Sequence, residues 1–107
     1  MRLPFGPRSP VGSTVRVEKD MGLTLSEFQL TLARLTGVPL ASGQMSAQIG
    51  LGAGSVVVAF APRPALRLSA LLAMPRAHVS LTFSNVTEAQ QQDFLKRFDL
   101  TFHRGGG

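Results

Sequence analysis

The chain has 107 residues, 44 % of them hydrophobic, and a formal net charge of +5, enough for one domain with its own core. It has no Cys, which excludes disulfides, thiol chemistry and thiolate metal sites. It also lacks Trp and Tyr, so the usual interface anchors and base-stacking platforms are gone apart from Phe.

Met1 to Pro10 is rich in Pro and holds no continuous apolar stretch. Residues 1–12 are therefore expected to form a disordered arm, not a secretory leader. No window approaches the ~20 apolar residues of a membrane span. The cytoplasm is the expected compartment, with no membrane partner.

Ser13-Thr14-Val15-Arg16-Val17-Glu18 alternates and predicts a strand with Val15 and Val17 inward and Arg16 and Glu18 outward. Lys19 to Gly22 reads as a turn. Thr24 and Glu27 then have the spacing of a capping box, and Leu23 and Phe28 that of a hydrophobic staple. Leu25, Phe28, Leu32 and Leu35 recur at helical spacing, and Gly37-Val38-Pro39 supplies the stop. The first helix is predicted over Leu25–Thr36, with Val38 folding back as the apolar contact of a Schellman motif.

Gln44–Ile49 and Ser55–Phe60 are extended runs joined by a Gly-rich turn, Gly50 to Gly54. This predicts a hairpin. The Gly-x-Gly-x-Gly of that turn is not a dinucleotide fingerprint, because such a motif must open a helix and here it opens a strand. Pro62-Arg63-Pro64 predicts the next turn. The apolar run Leu66 to Met74, stopped by Pro75, and the run His78 to Phe83 predict two further strands. Thr87 and Gln90 repeat the capping-box spacing, and Phe94, Phe98 and Phe102 fall four apart. They predict a second helix over Glu88–Arg104, with Asp93 and Arg97 paired across one turn and a flexible tail over 105–107.

The elements sum to a single α+β domain over 13–104 in the order β-α-β-β-β-β-α. The expected architecture is a two-layer sandwich: a mostly antiparallel sheet of about five strands with two helices on one face. The stretch from Ala65 to the end should build most of the core. A crossover from the first strand to the second through the first helix would be right-handed if those two strands are parallel.

Leu72-Ala73-Met74-Pro75, Val79-Ser80-Leu81-Thr82-Phe83, Phe94-Leu95-Lys96-Arg97-Phe98-Asp99 and Phe102-His103-Arg104-Gly105-Gly106-Gly107 resemble a group of small bacterial proteins that end in a Phe-rich helix and an Arg-Gly-Gly-Gly tail. Gly22-Leu23-Thr24-x-x-Glu27-Phe28 is similar to the start of their first helix. The resemblance covers about residues 18–107. It implies a shared fold and no activity, and it carries over no catalytic residue.

Chemistry is sparse. Two histidines, His78 and His103, are too few for a zinc site without Cys. Asp99 and His103 are four apart on the second helix, but no nucleophile is placed to use them; a surface ion pair is the commoner role of such a pair. No cofactor, no metal and no catalytic constellation are expected, and the chain reads as a non-enzyme. The sheet face away from the helices should carry Arg16, Gln44, Ser46, Gln48, Arg67, Ser69, His78, Ser80 and Thr82, with Val57 and Ala59 as an apolar patch. No acidic residue stands between Phe28 and Thr87, so this face is expected to be weakly basic and nearly free of acid. Arg16, Arg67, Arg76 and His78 are the candidate anion- or partner-binding residues. The leading expectation is a small protein-interaction module, self-associating as a homodimer or acting on another protein. The alternative is binding of nucleic acid or another anionic ligand through that face, though without aromatic platforms.

Overall fold

The computed structural model describes residues 14–105. The expected Pro-rich arm and the last two glycines lie outside them. The chain is α+β: β1 (Thr14–Met21), α1 (Leu25–Thr36), β2 (Ser46–Leu51), β3 (Gly54–Arg67), β4 (Ala73–Ser84) and α2 (Glu88–Gly105). The four strands form one sheet in the order β1-β4-β3-β2, with every neighbouring pair antiparallel. Thus β2, β3 and β4 form a meander that closes against β1. The first two strands lie on opposite edges and run in opposite senses, so no parallel crossover arises.

Local signals fix both helices. The Thr24 hydroxyl accepts from the Glu27 N–H and the Glu27 carboxylate accepts from the Thr24 N–H. Thr87 and Gln90 make the same reciprocal pair before α2, so each helix start has two of its free N–H groups satisfied. Gly37 ends α1 in the left-handed conformation at φ 78° and donates to the Ala33 carbonyl. Val38 stays exposed, so the ending is the simple left-handed cap, not the Schellman motif with its apolar contact.

Helices and sheet meet through phenylalanine. Ring contacts run from Phe60 to Phe28, Phe102, Phe98, Phe94 and Phe83, with centroids 4.2–6.5 Å apart. The chain of rings ties α1, α2, β3 and β4 together. Val56, Val58, Ala77, Val79 and Leu81 complete the buried layer. Even-numbered β3 residues and odd-numbered β4 residues face this core, as the pleat requires.

The strand count is four, not five. Pro62-Arg63-Pro64 is not a turn: β3 continues through it to Arg67, and β4 starts at Ala73 and runs through Pro75. The expected strand over Leu66 to Met74 is instead the distal end of one long hairpin. Its leucines lie outside the core. Likewise Lys19 to Met21 continues β1 where a turn was expected.

Candidate interaction surface

The β3–β4 hairpin outgrows its sheet. Pairing of β2 with β3 stops at Ser46↔Ala59, apart from one bond from the Phe60 N–H to the Met45 carbonyl. Pairing of β1 with β4 stops at Met21↔Ala77. Among the described residues β3 and β4 pair only with each other beyond these points, and every residue from Ala61 to Pro75 is exposed. The result is a two-stranded arm.

Its prolines explain how it can stand free. The Phe60 N–H points toward the β2 side of β3, so by alternation Pro62 presents its ring nitrogen to the same side, where β2 has already ended. The same alternation aims Pro75 toward the β1 side of β4, beyond the end of β1. Each open edge of the arm therefore lacks a donor where a neighbouring strand would need one. Pro64 sits in an irregularity: the register shifts between Arg63↔Arg76 and Leu66↔Met74, so Pro64 and Ala65 together oppose Pro75. This is a β-bulge.

The bulge also resets which side chains share a face. Leu66 and Met74 are cross-strand partners, and the Leu68 N–H donates to the Leu72 carbonyl. Alternation puts all four on one face of the arm. Met74 has the parity of Arg76 and His78, so this is the sheet face that the helices leave uncovered. At the tip the Ser69 hydroxyl accepts from the Leu71 N–H, and Leu71 is 97 % exposed. Leu66, Leu68, Leu72 and Met74 are each about half exposed. Sequence reasoning missed these residues because an apolar run reads as core. The available signal was Leu71-Leu72: adjacent residues cannot both face inward on one strand.

The candidate basic residues do not converge. Arg16 Nε lies 3.1 Å from the Glu18 carboxylate. His78 Nε2 lies 2.8 Å from Glu18, and its Nδ1 lies 3.4 Å from Asp20. Arg67 is near the tip, where its guanidinium is 3.5 Å from the Ala70 carbonyl. Arg76 is the cross-strand partner of Arg63, which itself stands 4.0 Å from Asp20. The uncovered face is therefore not nearly free of acid. Extension of β1 to Met21 brings Asp20 onto it beside Glu18. At the root of the arm two cations do adjoin across the strands, Arg63 and Arg76.

Asp99 is not paired with His103; it is held 3.1 Å from Lys19 Nζ. These residues line a cleft of about 750 Å³ with Asp20, Met21, Leu23, Leu100 and Phe102. Among the described residues, neither histidine ring is hydrogen-bonded to a hydroxyl. No group of three or more His, Asp or Glu residues among them could hold a metal ion, and no helix among them is long and apolar enough to cross a membrane.

No family model matches the chain, and comparison with curated proteins and with solved structures finds no match either.

Proposed function

We propose that the chain is a non-catalytic interaction module of the cytoplasm and that the β3–β4 arm is the part that docks. The observation that carries this reading is the arm's exposed apolar surface: Leu66, Leu68, Leu71, Leu72 and Met74 remain 45–97 % exposed on a ribbon that no described helix or strand covers. Together they leave on the order of 500 Å² of apolar area in water, near the upper end for a patch on a monomer. At ~25 cal/mol per Å², full burial is worth about 12 kcal/mol gross. Association and ordering oppose this with about 4–15 kcal/mol. A stable complex therefore needs most of the arm covered, and a partner that touches only the tip would not suffice.

The test compares the wild-type chain with Leu68→Asp/Leu72→Asp, both alone and in a native cell extract. Hydrogen exchange of the arm amides from Arg63 to Met74 and the size of the complex are the readouts. Wild-type arm amides should be protected in at least one of these conditions, and the variant's should exchange fast in both. Fast exchange of the wild-type arm throughout would remove the reading.

A second reading, binding of an anionic ligand, is favoured by the adjoining Arg63 and Arg76. Like charges directly opposite on a sheet face are unfavourable, and a phosphate between them would relieve that. Retention on an oligonucleotide at low salt, lost in Arg63→Ala/Arg76→Ala, supports it; no retention removes it.

A further inference from the structure

The docking role proposed above leaves the partner open. We infer that the arm's partner is a second copy of this chain: two molecules pack uncovered face to uncovered face, and each lays its arm along the sheet of the other.

The uncovered face is complementary to itself. The β3–β4 strip of its sheet half is built mostly from small side chains, Val57 and Ala59 with Thr82 and Ser80 opposite them and Ala61 opposite His78, and is flanked by the longer Arg16, Glu18 and Gln48. Its arm half carries long ones, Leu66, Leu68, Leu72 and Met74. One molecule thus holds both a shallow strip and the side chains that would fill it. Consider a twofold axis in the interface, crossing the strands at the level of Ala61 and His78. By the register it sets Leu66 and Met74 of one copy over Val57 and Thr82 of the other. It likewise sets Leu68 and Leu72 over Ser55 and Ser84. The contact is isologous, so both arms are covered at once and the assembly closes as a dimer.

The edges favour this mode over sheet extension. Pro62 and Pro75 each remove a donor from an open edge of the arm, so a partner cannot add a fully bonded strand there. Contact through faces is what remains.

Charge selects the occupant. The same twofold carries Arg63 and Arg76 over Ala59 and Ser80 of the other copy, beside its Glu18, which is the Cα partner of Ser80. Each arm root then lies beside a Glu18 that Arg16 and His78 of its own chain also contact, while the twofold itself sets Asp20 across from Asp20 at the level of His78. A nucleic acid or an anionic bilayer would meet Glu18 and Asp20 on the face it had to cover. The area is also of the right order: Leu66, Leu68, Leu72 and Met74 supply roughly 350 of the ~800 Å² that each side of a stable interface contributes, and the strip they cover adds to it.

The test is the mass of the full chain by light scattering and sedimentation, up to about 100 µM, with three variants. The wild type should be a dimer, and Leu68→Asp/Leu72→Asp a monomer with an unchanged far-ultraviolet spectrum. Arg76→Glu and Glu18→Arg should each raise the dissociation constant at least ~10-fold, and an equimolar mixture of the two should associate more tightly than either alone. A wild-type monomer at the top concentration overturns the inference. If its arm is nevertheless protected in extract, the docking role stands and the occupant is a foreign protein; if it pellets with phosphatidylglycerol vesicles, the occupant is lipid. A dimer untouched by Leu68→Asp/Leu72→Asp also overturns the inference, because the copies then meet elsewhere.

Discussion

Replacing Phe98 by Ala removes the middle of the ring chain that joins the helices to the sheet. Phe98 is fully buried, stacks on Phe102 at 4.2 Å and contacts Phe94 at 6.5 Å. Loss of the buried ring and the cavity it leaves cost about 3–5 kcal/mol. The two ring contacts are worth about 0.5–1.5 kcal/mol each beyond area, and part of that is already contained in the cavity figure. A domain of this size is stable by about 5–15 kcal/mol, so the variant should lose about a fifth of the total or more. Circular dichroism at 222 nm against urea is the suitable assay, since the chain has no Trp or Tyr to follow by fluorescence. With a slope of ~1–1.5 kcal/mol per M, the midpoint should fall by about 2–5 M at an unchanged slope. Phe98→Leu keeps the variant measurable if Ala unfolds it, and should lose roughly half as much. A Phe98→Ala midpoint within ~0.5 M of wild type would refute the reasoning, because it would mean that the rings do not carry the helix–sheet contact.

Gly54→Ala should be among the worst single-atom changes in the chain. A Cβ there would collide with the carbonyl oxygens of Ser84 and Asn85, backbone atoms at the entry to α2 that cannot step aside, so about 1–3 kcal/mol is lost by the same urea assay. Thr24→Ala removes the hydroxyl that caps α1 and should cost about 1 kcal/mol, with Thr24→Ser recovering most of it. By contrast, Leu71→Ala should leave monomer stability within about 0.5 kcal/mol, because a side chain 97 % exposed has no packing to lose.

The short-range part of this architecture is legible in the chain. Helix α1 begins and ends where Thr24, Glu27 and Gly37 say it must. The β2–β3 hairpin turns at its glycines, and the Phe94–Phe98–Phe102 stripe is buried on one side of α2. Each of these depends on residues within a turn or two of one another, so no distant partner is needed to settle it. The three prolines around the arm behave differently. Pro62, Pro64 and Pro75 carry the local signature of turns, and from the chain alone they divide one long hairpin into shorter pieces.

A proline is excluded from a strand only where its missing donor would face a neighbour. Whether one is there depends on where β1 and β2 stop, a property of the assembled sheet. The same holds for Leu66 to Met74. The sequence determines that the stretch is apolar and extended; only the length mismatch between β3–β4 and its flanking strands decides that no other described strand lies beside it. Charge follows the same rule. Arg16, Glu18, Asp20, His78 and Arg76 are scattered in sequence and gather on one face because β1 pairs with β4, so the balance of sign on that face exists only in the tertiary structure.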